Sequence, residues 1–366
     1  MKKVLFVVDT YYPDSSATTN IFRRIAEALV NLGYNVDVFP SEISDIHYEY
    51  PQMYNGVNII HSNKLIEVLD STSYDYVFSG AVNFRVNFLI GKLLKNRKCL
   101  WFPMSYDPYA FDPHISQSEK EQRIKEEIDG LKDATKIFFL TEFKNDYIGS
   151  PFEDKITYFM LPCIRELQPD VTKRVINFDK SYINCVFLGD FYLGVENTDF
   201  IFRLFEKIID QNKKVRLYTV GNLGDYQETV NSWEKKLGEN YICHPRISQE
   251  ESYNVMFDAD VLVSMGHDSN NMCPSKIVDF ITSGQPIVHI QKIKDCCGKK
   301  YLEKYPNKIC IYQNEPLTDS RVQEIEKFIV NSVNKERIDY HIVNKLYSDF
   351  TMESLIDKII EAFTLQ

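Results

Sequence analysis

Three observations predict an α/β protein of two doubly wound parallel-sheet domains. Short apolar runs recur from end to end, segments of helix length separate them, and the runs are continuous rather than alternating. A strand that is apolar on both faces is one covered on both faces, as in a parallel sheet with helices above and below. Helices between the strands supply those covering layers and the crossovers that parallel pairing needs. The 366 residues, 44% apolar and 26% charged, amount to about two domains of ordinary globular chain.

In the first half the runs are KVLFVV (3–8), NVDVFP (35–40), VNIIHS (57–62), YDYVFSG (74–80), KCLWFPM (98–104), TKIFFLT (135–141) and ITYFML (156–161). In the second half they are NCVFLGD (184–190), VRLYTVG (215–221), YICHPRI (241–247), DVLVSMG (260–266), PIVHI (286–290) and KICIYQ (308–313). After the first run, TTNIFRRIAEALVNLG places Ile21, Phe22, Ile25, Ala26, Leu29 and Val30 on one helical face and stops at Gly33. The alternation lapses at 164–182, a polar stretch after Pro162. The predicted organisation is therefore a first domain over 1–165, a linker over 166–182 and a second domain over 183–345. Within 346–366, YSDFTMESLIDKIIEAF is an amphipathic helix with Met352, Leu355, Ile356, Ile359 and Ile360 on its apolar face, expected to pack back on the first domain.

The formal net charge of −10 argues against a nucleic-acid partner, which needs clustered Lys and Arg to displace counterions. The apolar run in MKKVLFVVDTYYP is too short for a secretory signal, and no stretch is long enough for a membrane span. The eight cysteines include no CxxC pair and are expected as reduced thiols in a cytoplasmic protein. In 76–106, which has no Asp or Glu, Arg85, Lys92, Lys95, Arg97 and Lys98 lie among Phe84, Phe88, Leu89, Ile90, Leu93 and Leu94. This reversal of sign suits peripheral contact with an anionic membrane through 84–98, or else a core helix with a solvated basic end.

Ligands of open parallel sheets bind outside the carboxyl ends of the strands, so the loops after the strands hold the candidate residues. The most outspoken is NMCPSKIVDFITSGQPIVHI (271–290). Pro274 suits the first helical position, where its missing N–H costs nothing. The amides of Ser275 and Lys276 then face an anion at the helix mouth, with the Ser275 hydroxyl and the Lys276 charge beside them. Asp279 shares their face one turn on, where a ribose attached to a diphosphate would meet it. The same spacing also describes a Pro-initiated amphipathic helix with a solvated Lys–Asp pair.

The segment ADVLVSMGHDSNNMCPSKIVDFITSGQPIV (259–288) resembles the donor site of retaining GT-B glycosyltransferases of family 4. The resemblance implies two Rossmann-like domains facing a cleft. That family carries two glutamates eight residues apart. Asp279 matches the second, which contacts the nucleotide ribose, and Asn271 stands at the first, which lies near the transferred sugar. The family also places an Arg and a Lys after the glycine of VFLGDFY, where this chain has Gly189 followed by Asp190, Phe191, Tyr192 and Leu193. Lys276 is then left to neutralise the phosphates, with Arg246 as its helper or as half of a surface salt bridge. Gly221 and Asn222 let backbone approach the nucleotide, and His267 is the histidine best placed for the cleft.

In the first domain the family has a Gly-Gly turn at the first helix mouth, and this chain has Ser16-Ala17. The loop of Ser15, Ser16, Ala17 and Thr18 is expected to face the acceptor or the transferring phosphate, with at least one hydroxyl spent on N-capping. Of the family's His-Asp pair only Asp107 carries over, after Tyr106, to orient the acceptor hydroxyl or to cap the turn at Pro108. The sequence DAD (258–260) sits at the wrong end of its strand for the cleft, and no metal is expected.

The resemblance thus implies transfer of a sugar, from a UDP-sugar by preference, to a hydroxyl of a glycan or lipid-linked acceptor. Configuration would be retained, with Asp107, Asn271 and Lys276 nearest the chemistry and no cofactor beyond the donor. The expected setting is the cytoplasm, extending to the inner face of the membrane if the basic segment 84–98 meets lipid. The alternative is a non-catalytic GT-B subunit that binds a nucleotide or a partner transferase.

Overall fold

The computed structural model describes residues 1–14, 16–41, 48–62, 64–80, 84–191, 198–272, 274–333 and 335–364, and of Arg85 and Asp225 the backbone alone. It forms two compact units, 1–163 with 349–366 and 164–348.

The first unit runs β1 (Lys3–Val8), α1 (Ala17–Asn31), β2 (Asn35–Pro40), β3 (Met53–Tyr54), β4 (Val57–Ile59), α2 (Leu65–Ser71), β5 (Tyr76–Gly80), α3 (Arg85–Leu94), β6 (Leu100–Ser105), α4 (Gln117–Leu131), β7 (Ile137–Leu140) and β8 (Ile156–Phe159). Among the described residues its sheet has the order β3-β4-β2-β1-β5-β6-β7-β8. The pairs are parallel except β3–β4 at the edge. That hairpin turns on Asn55 (φ 48°) and Gly56 (φ 81°), the two left-handed positions of a type I′ turn. The central strands β1, β5 and β6 are buried on both faces, and the centre is aromatic: Phe78 stacks on Phe6 at 4.9 Å and on Phe102 at 5.1 Å.

The second unit runs β9 (Ile183–Leu188), α5 (Thr198–Gln211), β10 (Val215–Val220), α6 (Gln227–Leu237), β11 (Tyr241–His244), α7 (Gln249–Asp258), β12 (Val261–Met265), α8 (Lys276–Ser283), β13 (Ile287–Gln291), α9 (Cys297–Leu302), β14 (Lys308–Tyr312), α10 (Asp319–Ser332) and α11 (Tyr340–Leu346). Its described sheet is parallel, in the order β11-β10-β9-β12-β13-β14. The order reverses at β9, and the loops at the carboxyl ends of β9 and β12 therefore flank the crevice where such sheets take ligands. Beneath it lies a core of Phe187, Phe200, Phe202, Phe205, Val263 and Ile290.

The polar stretch predicted as a linker belongs to the second unit, which begins at 164 rather than 183. It is tied along α7: Asn254 Nδ2 donates to the Asp170 carbonyl at 2.7 Å, Arg174 Nε lies 2.7 Å from Asp258 Oδ2, and Lys173 pairs with Glu250. A final helix, α12 (Met352–Phe363), belongs to the first unit. Thr351 caps it, and Met352, Leu355, Ile356 and Ile359 are buried. Phe363 stacks on Tyr76 at 3.8 Å and meets Phe102 at 5.5 Å. Burying a side chain of this size is worth roughly 1.5–3 kcal/mol.

Candidate functional site

The helix α8 is drawn into the second unit by Ile277, Val278, Phe280 and Ile281, all buried. Ser275 already has helical backbone (φ −58°, ψ −31°). The Ile277 and Val278 N–H groups donate to the Pro274 and Ser275 carbonyls, each at 3.1 Å, so the amides of Ser275 and Lys276 come before the first of these bonds, at the mouth. The far end is fixed by Gly284 at φ 74°, whose carbonyl accepts from Ile338 N–H at 3.0 Å. A Cβ there would stand 2.1 Å from the Ile338 carbonyl oxygen.

Asp279 is only 8% exposed and lies between two cations. Its Oδ2 is 3.6 Å from Lys276 Nζ and its Oδ1 is 3.5 Å from Arg165 Nη1. This replaces the solvated Lys–Asp pair that the sequence also allowed. Lys276 has a second partner, donating to Ser252 Oγ at 3.3 Å. Arg165 donates to the Tyr253 hydroxyl, with its guanidinium carbon 5.5 Å from that ring's centre. Sequence reasoning missed Arg165, the last residue it gave to the first domain; no local spacing links it to a carboxylate on α8.

The other residues around this crevice are engaged with the protein. Asn271 is 6% exposed; its N–H donates to Ser269 Oγ at 3.2 Å and its Oδ1 accepts from the same hydroxyl. It is folded into its own turn. His267 is half-buried, and beside it Asp268 pairs with Lys292, just beyond β13, at 3.2 Å.

After β9 and β10 the loops are stapled to each other. Asp190 Oδ1 accepts from Asn222 N–H at 2.7 Å, and Phe191 N–H donates to the Asn222 carbonyl at 3.0 Å. A Cβ on Gly221 would stand 2.0 Å from the Gly189 carbonyl oxygen. Gly221 therefore permits the close approach of these two loops, and it lies beside the cleft at their ends. Arg246 lies 3.7 Å from Asp190 Oδ2 with its side chain 75% exposed, the surface pair that was the alternative for it. Asn222, Leu223, Gly224, Gln227, Pro245 and Arg246 are among the residues around a cleft of 580 Å³ here. Tyr192 and Leu193 lie outside the described residues.

In the first unit the mouth of α1 is occupied by the chain itself. Asp14 Oδ2 accepts from the hydroxyls of Thr19, Thr10 and Ser16 at 2.6, 2.7 and 2.8 Å. Its Oδ1 accepts from Ser16 N–H and the Tyr48 hydroxyl, both at 3.2 Å. Burial opposes its ionisation, but the hydroxyls of Thr19, Thr10 and Ser16 outweigh that and hold the carboxyl at about 2. Ser16 also caps the helix, accepting from Thr19 N–H at 3.3 Å. Of the residues expected to face an acceptor or phosphate, Ser16 thus serves Asp14 and the cap, Ala17 opens the helix, Thr18 is half-buried, and Ser15 lies outside the described residues.

Asp107 is exposed and its carbonyl accepts from Ser105 Oγ at 2.7 Å. Surrounding protein, then the charge of Asp112, pushes its carboxyl up from the usual range. Nearby, Glu127 is buried beneath the Tyr147 hydroxyl, which donates to it at 2.9 Å. Burial pushes its carboxyl up to about 8, against the bonds from Tyr147 and the Ala110 amide.

The basic segment reads mostly as a helix packed on the core: Val86, Ile90 and Leu94 are buried, and Arg97 pairs with Asp70 at 2.6 Å. Lys92 and Lys95 are exposed, and the Arg85 side chain lies outside the described residues. No described helix is long and apolar enough to cross a membrane. In the DAD sequence, Asp258 pairs with Arg174, and Asp260 Oδ2 accepts from Asn184 N–H at 2.8 Å. Among the described residues no group of three or more His, Cys, Asp or Glu is arranged to hold a metal.

No family model and no curated protein matches the chain. Solved structures do. HepE of Anabaena in complex with UDP is similar with a TM-score of 0.68 over 100% of both chains, at 13% identity. Sucrose-phosphate synthase of Thermosynechococcus elongatus gives 0.67 over 99% of this chain and 98% of that one, at 11% identity. The lipopolysaccharide outer core galactosyltransferase WaaB gives 0.59 over 98% of both, at 12% identity. The fold is GT-B. Within it, α8 is the helix that opens at the reversal point of the second GT-B sheet, and Asp279 lies one turn inside it.

Proposed function

We propose that the chain is a glycosyltransferase that moves a sugar from a nucleoside diphosphate sugar to a hydroxyl of a glycan or lipid-linked acceptor. The observation that carries this reading is Asp279, buried one turn inside a helix mouth and set between Lys276 and Arg165. A helix mouth with a lysine suits a diphosphate, and a fixed carboxylate below it suits the two hydroxyls of a ribose. HepE, similar in fold, is described in complex with UDP and with UDP-glucose, and a UDP-sugar is accordingly the favoured donor.

The chemistry needs little from protein acids. As the anomeric carbon–oxygen bond to the diphosphate breaks, charge grows on the leaving oxygens, and Lys276 with the amides of Ser275 and Lys276 stabilises it. In the retaining course we favour, the acceptor oxygen bonds to the same face of that carbon, and its proton passes to a departing phosphate oxygen. Positioning supplies the rest, with Asp107 beside the acceptor hydroxyl. No step is assigned to a metal, and turnover is expected to persist in excess chelator; loss restored by Mn²⁺ or Mg²⁺ would overturn that part. The protein would act in the cytoplasm, and Lys92 and Lys95 would meet an anionic leaflet at about 1 kcal/mol per charge, which liposome co-sedimentation at low salt measures.

Calorimetry with uridine, UDP and 2′-deoxy-UDP tests the donor site. Lys276→Ala should weaken UDP far more than uridine, by the roughly 1.5–3 kcal/mol of a charge-assisted hydrogen bond. Asp279→Ala should weaken both alike and reduce discrimination against the deoxy form. If neither variant changes UDP binding, the site is misread. The inward turn of Asn271 and the Asp190 staple favour a second reading, a non-catalytic GT-B subunit. Slow hydrolysis of UDP-glucose by the purified protein would exclude it.

A further inference from the structure

We propose that Arg165 is a positioning residue that holds Asp279 in place when Lys276 turns to a bound diphosphate; this rests on the donor-site reading above. As the site stands, Lys276 is engaged away from the mouth. Its ammonium leans on Asp279 Oδ2 at 3.6 Å and donates to Ser252 Oγ at 3.3 Å, while the Ser252 proton goes to the Gln249 carbonyl at 2.6 Å. One flexible lysine thus faces two demands, the carboxylate behind it and the phosphates in front. Were it the only counter-charge, its departure would strand a carboxylate that is 8% exposed, which is strongly unfavourable.

Arg165 removes that conflict. It approaches the other oxygen, Oδ1, at 3.5 Å, so its pairing does not depend on where Lys276 points. It is also anchored independently of Asp279, by its bond to the Tyr253 hydroxyl and its place against the Tyr253 ring on α7. Guanidinium carries its charge at any working pH and presents donors in a fixed fork, which suits a stationary role; the lysine has the mobile one. Both cations stand from Asp279 at distances longer than the usual 2.7–3.2 Å of a good hydrogen bond. Lone pairs of Asp279 thereby remain for a ligand's hydroxyls.

The test is calorimetry with UDP and with uridine on the native protein, Arg165→Gln, Arg165→Lys, Lys276→Ala and the double variant Arg165→Gln/Lys276→Ala. Arg165→Gln should weaken UDP about tenfold or more and uridine severalfold less, because Lys276 is then kept on Asp279; Arg165→Lys should restore most of the loss. In the Lys276→Ala background, Arg165→Gln should change UDP no more than uridine. Equal losses on both ligands without rescue by lysine, or UDP affinity within about twofold of native, would overturn the proposal. If Arg165→Gln does not fold, Tyr253→Phe removes only the hydroxyl anchor. It should lower UDP binding a few-fold with the same selectivity, and an unchanged affinity would count against the proposal. A native protein that binds neither ligand would instead refute the donor-site reading, and the role of Arg165 with it.

Discussion

Two helices open at the carboxyl ends of the two sheets, and they treat the partial positive charge at their mouths in opposite ways. At α1 the chain supplies its own anion: Asp14 takes four hydroxyls and an amide and is held at about 2. At α8 the first turn brings a lysine instead, and the acid is set one turn deeper between two cations. The first arrangement spends its acid within the chain, beside the Ser16 cap, and contributes to folding. The second leaves the end open to an anion from outside. The same element thus serves stability in one unit and, on the proposed function, recognition in the other.

Sharpening that contrast through pH first requires removing a larger effect. Glu127 has a folded carboxyl raised to about 8, and its stabilising protonated form is complete below the unfolded value near 4.5 and lost as pH rises through 8. Glu127→Gln, which keeps the protonated shape, should match the native protein near pH 4. By pH 9 it should be more stable by roughly 3–5 kcal/mol, read from denaturant midpoints across pH. Next in size, Gly284→Ala forces a Cβ into the Ile338 carbonyl at 2.1 Å with φ at 74°. It should cost about 3 kcal/mol and take UDP binding with it if the α8 mouth depends on where its far end is fixed.

The contrast itself turns on Asp14. Its folded pKa is depressed, so its contribution is present above about 4 and fades as pH falls toward 2. Since the carboxyl is largely exposed to screening, Asp14→Asn should cost only about 1 kcal/mol at neutral pH, less in acid, and leave UDP affinity unchanged. A UDP effect here, or a large stability effect from Lys276→Ala, would break the division between the two mouths. Ser16→Ala should be the mildest, about 0.5–1 kcal/mol in thermal stability from a lost cap.

The strands were legible because a strand covered on both faces leaves a continuous apolar run, and each of the thirteen runs quoted from the sequence holds a strand. The edge hairpin was missed although Asn55-Gly56 is its usual signal; β3, of two residues, is too short to show a period. The segment after 164 was misplaced for a different reason. Its attachment to α7 rests on pairs such as Arg174–Asp258, which join residues far apart in sequence and leave no local pattern. The site divides along the same line. Pro274, Ser275, Lys276 and Asp279 follow helical spacing and could be read, whereas Arg165, the Asp190 staple and the use of the Thr10, Ser16 and Thr19 hydroxyls by Asp14 are long-range or side-chain choices that spacing does not record.

The return of α12 to the first unit bears on how the protein is made. Phe363 completes the aromatic layer over Tyr76 and Phe102, yet everything from 164 to 348 is synthesised between those residues and it. During translation the first sheet must wait with that layer uncovered while the whole of the second unit emerges and folds.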